Sequence, residues 1–152
     1  MTKREKAQSL FMNGYNCAQA VFAAFCDETG LDEETALRLS SAFGGGMGRM
    51  REVCGAVSGM FMALGMLDGY SDAGDDKIKM ELYQKVQSLA EQFKEKNSSI
   101  ICRELMALPE KISDPTPEKR TPEYYGHRKN CIDAVGDAAE ILESYLNSLR
   151  EM

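Results

Sequence analysis

"MREVCGAVSGMFMALGM", Met50 to Met66, decides how the chain folds. From Val53 to Met66 it carries no charged residue, yet it is shorter than the roughly 20 apolar residues of a membrane span. A helix from about Val53 to Leu67 is apolar on every face, so it belongs at the centre of a helical domain. It opens on a thiol, Cys54, and is notched by Gly55, Gly59 and Gly65. Gly55 and Gly59 lie four residues apart on one face, where a second backbone or a cofactor can come close.

The surrounding sequence reads as helices too. Upstream, "FGGGMGR" predicts a loop, since consecutive glycines form helix poorly. Before it come helices over residues 3–12, from about Asn16 to Glu28, and from Asp32. The second has Ala18, Val21, Phe22 and Phe25 on one face, and the third has the acidic first turn that suits a helix start. Downstream, "DGYSDAGD" is a loop. A long helix follows from about Asp75 to Lys96, striped by Ile78, Leu82, Val86, Leu89 and Phe93. "NSSIICRELMAL" begins with capping residues and predicts a short helix ending before Pro109. Residues 109–126 hold all four prolines and read as a loop or extended arm. The last helix, from about Arg128 to Arg150, turns Ile132, Val135, Ala139, Leu142, Leu146 and Leu149 inward. No run alternates with a period of two, so no sheet is expected. The expected fold is all-α: one domain over residues 1–152, a compact bundle of five to seven helices around the central glycine-containing one.

Composition narrows the function. The net charge of −6 argues against nucleic acid and anionic membrane surfaces, because both need clustered Lys and Arg. The start, "MTKREKAQSL", has no apolar signal core, and the chain reads as cytoplasmic. Five cysteines, an odd number, speak against a secreted disulfide framework. One His and no Trp leave little for His-based catalysis or a His-rich metal site.

The cysteines share a position. Cys17 follows Asn16 in a first turn, and Cys54 opens the central helix. Cys102 comes three residues after Ser99, a candidate cap, and Cys131 stands near the start of the last helix. Cys26, by contrast, reads as lying near the end of its helix. A helix start presents unpaired N–H groups and the positive end of the dipole, which stabilise a thiolate. A thiolate is both a redox nucleophile and a ligand for soft metals. Four such thiols could converge; each could equally be a buried small hydrophobe. The N–H groups around Gly45 and Gly46 could meet cluster sulfides or an anion, and these two join Gly55 and Gly59 as candidate cofactor-binding positions. Arg49 and Arg51 could flank an anionic centre or stay solvated, Tyr124 and Tyr125 could cover a site, and His127 reads as an exposed loop residue.

"GYNCAQAV", then "FGGGMGR" and "CGAVSG", then "CREL", then a cysteine in a C-terminal helix resembles the bacterial and archaeal C_GCAxxG_C_C family of redox-active proteins. The resemblance runs from about residue 5 to 149 and implies Cys17, Cys54, Cys102 and Cys131 as the motif cysteines, with Cys26 outside. A related domain is fused to a haem-binding segment in some multihaem cytochromes, where an iron–sulfur cluster accompanies it. This sequence has no C-x-x-C-H, so no c-type haem is implied.

Four readings follow. The first is an iron–sulfur cluster, most simply [2Fe–2S], held by the four thiolates for electron transfer with an unknown redox partner. The sequence separations of 37, 48 and 29 residues match no common ferredoxin pattern, so distant helices would have to assemble the site. The second is a metal-free thiol–disulfide protein. The third is a Cys₄ zinc site, or a Cu(I) site drawing on Met47, Met50, Met60, Met62 and Met66; it ranks lower because the cysteines are not in close pairs. The fourth is a helical interaction module with buried cysteines, and the apolar helix faces would also suit a homodimer. An oxidoreductase and an electron carrier both stay open, and no acid–base pair points to a substrate.

Overall fold

The structure, a computed structural model, describes residues 1–108 and 113–151. Among them, six helices of seven residues or more carry the fold: α1 (Lys3–Met12), α2 (Cys17–Ala23), α3 (Glu33–Ser40), α4 (Gly55–Asp68), α5 (Asp76–Asn97) and α6 (Lys129–Arg150). Short helical turns at Cys26–Thr29, Ser41–Phe43, Gly44–Met47, Cys102–Leu105 and Pro122–Gly126 complete it, the third with left-handed backbone at Gly45 and Gly46 inside the expected glycine loop. The all-α expectation holds: no strand occurs among the described residues, whose one β-type pairing is the isolated bridge between Val53 and Ile101. Nor is any helix among them long and apolar enough to cross a membrane.

Local sequence sets the starts of the helices. Thr2 and Glu5 cap α1 reciprocally, and Asn16 and Gln19 do the same for α2. Asp32 caps α3, and Asp75 caps α5 by accepting from Ile78 N at 3.0 Å. The central helix α4 is buried at every position from Gly55 to Met60. Its last turn is not: Met66 is 51% exposed. At Gly59 an added Cβ would lie 2.6 Å from Ala18 O, so α2 and α4 cross with their backbones touching. The C-terminal α6 lays Val135, Ala138, Ala139 and Leu142 into the same core, and Gln8 on α1 donates to Ile132 O at 3.1 Å. Leu89 and Phe93 close the core from α5, while Ile78 on the same stripe stays 42% exposed.

Several boundaries differ from the sequence reading. The helix expected from Asn16 to Glu28 ends at Ala23 and restarts at Cys26, around Phe25 with φ −104° and ψ 18°. The bend leaves Phe22 and Phe25 both buried and brings Glu28 within 2.8 Å of Lys3 Nζ. Cys26 therefore begins a turn rather than ending a helix. The central helix starts at Gly55 rather than Val53, because Val53 is engaged by Ile101. In the proline-rich arm, Pro122–Gly126 forms a helical turn capped by Thr121, which accepts from Tyr124 N at 3.1 Å. Residues 109–112 of that arm, with the predicted helix stop at Pro109, lie outside the described residues.

Candidate functional site

Three local arrangements bring the start of one helix to the next. The Val53–Ile101 pairing has Cys54 N donating to Ile100 O at 2.7 Å and Cys102 N donating to Glu52 O at 2.6 Å. Cys54, the N-cap residue of α4, thus stands beside Cys102, the first residue of its turn. Asn130 Nδ2 donates to Leu105 O at 3.0 Å, which ties the first turn of α6 to the Cys102 turn and carries Cys131 in. On the other side, Gly55 lets α2 approach so closely that an added Cβ would meet the Cys17 Cβ at 3.1 Å.

The result is one cavity of about 310 Å³ whose wall includes Cys17, Cys54, Cys102 and Cys131. Gly45, Gly46 and Gly55 also line it; Gly59 instead meets Ala18 and Val21 in the helix crossing. Cys26 is half-buried and not in the lining. The glycine loop makes the approach to Cys102 possible. Gly46 has φ +73°, and an added Cβ would lie 2.6 Å from the Cys102 Cβ. From Gly45 to Arg51, only Met50 escapes a positive φ, and Met47, Arg49 and Arg51 adopt it without being glycine. Such backbone strain costs on the order of 1–3 kcal/mol per residue and persists where the surroundings hold it.

The thiols are electrostatically linked but unequal. The Cys17 thiol and the Cys131 sulfur share a hydrogen bond, which holds Cys131 below the usual thiol range; Arg128, Arg51 and Arg120 add to this. The same bond, with burial and the neighbouring thiols, holds Cys17 well above that range. Burial pushes Cys54 up to about 12, although the backbone N–H groups of Ala56 and Val57 act against it. Burial also raises Cys102, opposed by the Arg51 guanidinium. The expectation that every helix-start thiol would be acidic thus fails for three of the four, because loss of water outweighs the helix-end N–H groups.

The second feature of the cavity is its arginines. Arg49, Arg51, Arg120 and Arg128 line it against one carboxylate among the described residues, Glu118. Arg51 reaches the Cys102 sulfur at 3.7 Å and the Met106 sulfur at 3.3 Å. Arg120 comes from the proline-rich arm, with its guanidinium 4.7 Å from the ring centres of both Phe11 and Tyr124. Arg120, Arg128 and Met106 carry no motif signal in the sequence; only the spacing of Met106, four residues after Cys102, could have hinted at a shared face. Tyr124 lines the cavity, while His127 is exposed beside Glu123.

The donors fit an iron–sulfur cluster. Four cysteines line one cavity, Gly46 lets the glycine loop pack directly against Cys102, and the buried Arg51 Nε has no hydrogen-bond partner. They fit a single ion less well: among the described residues, no three His, Cys, Asp or Glu side chains stand where they could hold one metal ion.

The fold and the cavity define an all-helical protein with a four-thiol site. More particularly, the chain belongs to the family described as "Putative redox-active protein (C_GCAxxG_C_C)", whose model matches residues 15–145. No curated protein and no solved structure matches the chain.

Proposed function

We propose that the protein is a redox carrier whose centre is an iron–sulfur cluster, most simply [2Fe–2S], held by Cys17, Cys54, Cys102 and Cys131. The observation that carries this reading is that four cysteines, spread over more than a hundred residues of sequence, line one arginine-rich cavity. Each iron of a [2Fe–2S] core takes two thiolates, so the four sulfurs need not surround one ion. When bound, the cluster supplies one-electron chemistry. The chain's own residues supply the rest. Gly46 and Gly55 allow backbone to approach Cys102 and Cys17, the guanidiniums offset negative charge, and burial of Cys54 and Cys102 limits access of water.

One observation favours a second reading, a metal-free thiol–disulfide protein. Cys131, the most acidic thiol, hydrogen-bonds Cys17, which suits an attacking and a resolving cysteine. One experiment separates the two. The protein is purified without oxygen or chelator, and iron, acid-labile sulfide and the visible spectrum are measured. About two irons and two sulfides per chain, with visible absorbance lost in Cys→Ser variants of each of the four, is the expected result. A colourless preparation without iron, in which Cys17 and Cys131 form a reversible disulfide, would replace it with the second reading.

A further inference from the structure

We propose that Arg51 is the internal counter-charge of the four-cysteine centre and stabilises its more negative, reduced form; this rests on the redox reading above. Arg51 is only 7% exposed. It makes no salt bridge among the described residues, its Nε is buried without a partner, and its guanidinium donates there to two sulfurs. The other guanidiniums at the cavity are differently placed. Arg49 and Arg128 share Glu118, at 3.7 and 2.5 Å, and Arg120 donates to the carbonyls of Phe11 and Tyr15. A buried charge without a partner costs several kcal/mol, so a site that retains one has an opposite charge to set against it.

The candidates are the sulfurs. Arg51 holds its place by backbone as well as side chain: its N–H donates to Gly45 O at 3.2 Å, its carbonyl accepts from Arg103 N at 3.3 Å, and its φ is +60°. Two segments therefore fix the guanidinium against the Cys102 turn.

The redox consequence follows from charge. The oxidised cluster takes one electron from an external one-electron donor; no bond forms or breaks, and the centre becomes one charge more negative. The fixed cation attracts that form more strongly and raises the midpoint potential. In the disulfide reading, two electrons from an external thiol reductant break the sulfur–sulfur bond and leave two sulfurs as thiols or thiolates, with protons taken from water. Arg51 again favours the reduced side wherever a thiolate remains.

The test uses the full chain carrying Arg51→Met, with Arg51→Gln in reserve if Met does not fold and Arg51→Lys as the charge-preserving control. The midpoint potential is read by a mediated dithionite titration under argon, and the melting temperature of the cluster-free reduced protein is read alongside. Arg51→Met is expected to shift the one-electron equilibrium at least tenfold against reduction, about 59 mV, and Arg51→Lys to recover part of it. The cluster-free variant is expected to melt at or above the wild-type temperature, because its unpaired buried charge is gone. An unchanged potential, or an equal loss of melting temperature with and without cluster, would overturn the proposal and leave Arg51 a packing residue. If wild type carries neither iron nor sulfide, the cluster reading fails by itself. The Arg51 proposal is then decided by a glutathione redox titration, in which a tenfold shift is about 30 mV and no shift sinks it.

Discussion

Cys54 and Cys131 both stand at helix starts, yet their thiols are driven in opposite directions. Cys54 is sealed under α4 and pushed up to about 12, whereas Cys131 accepts from Cys17 among three guanidiniums and is lowered. Among the four cavity cysteines of the reduced, metal-free protein, alkylation should therefore modify Cys131 first as pH is raised from 6, and Cys54 last. Peptide mapping by mass spectrometry after brief iodoacetamide treatment reads the order; Cys54 reacting first would refute it. Stability should follow. A thiol whose folded-state value lies above its unfolded value contributes stability that is complete below about pH 8.5 and is lost as pH rises toward 12. Cys17 and Cys102, also raised, act in the same direction, and Cys131, lowered, acts against them. The Cys54 share, read by urea unfolding under reductant as the difference between wild type and Cys54→Ala, should be a loss on the order of 2 kcal/mol between pH 7.5 and 10. A flat profile would mean that Cys54 is not sealed.

At the scale of helices, the same residue type has opposite meanings at two places in α4. Gly59 faces Ala18 so closely that an added Cβ would lie 2.6 Å from a backbone oxygen, whereas at Gly65 nothing lies within 4 Å. Gly59→Ala should force α2 and α4 apart and cost about 1–3 kcal/mol, while Gly65→Ala should add about 0.4–1 kcal/mol through helix propensity and unfolded-state entropy. Thermal melts of the two variants should move in opposite directions. A neutral Gly59→Ala would mean that the crossing relaxes easily. The sequence announces part of this. The stripes of α5 and α6 and the apolar run of α4 are periodic signals, and shared helix-start positions single out four cysteines. What joins those starts is not periodic. The Val53–Ile101 bridge pairs residues 48 apart, and the Asn130–Leu105 bond is a lone side-chain contact. The burial of Arg51 depends on left-handed backbone at a residue whose type does not advertise it. The break before Cys26 is likewise hidden, because "AAFCDE" has good helix formers on both sides and only tertiary burial of Phe25 decides it.

At the scale of the molecule, one wall of the cavity is an arm rather than the core: Pro115, Pro117, Glu118 and Arg120 line it. The arm after residue 113 is tethered there, with Arg49 Nε donating to Asp114 O at 2.9 Å and Glu118 held by Arg49 and Arg128. Its firmest anchor is Arg120, which donates to the carbonyls of Phe11 and Tyr15 at 3.3 Å each while stacking between Phe11 and Tyr124. Those carbonyls lie at the end of α1 and in the turn before α2, so one side chain binds the arm to the first helices of the bundle. Hydrogen bonds from a charged group are worth about 1.5–3 kcal/mol, and the core beneath, built from α2, α4 and α6, does not include the arm. Arg120→Ala should therefore leave far-UV circular dichroism unchanged while making local opening of the arm easier by about 2 kcal/mol, roughly a 30-fold larger open population. Two rates report it. Alkylation of Cys131 in the reduced protein, and trypsin cleavage after Lys119, should both accelerate by about that factor, because each follows the open fraction when reclosing is fast. If both rates stay at the wild-type level, the arm is held by Glu118 and Asp114 instead, and the double variant with Glu118→Ala should then release it.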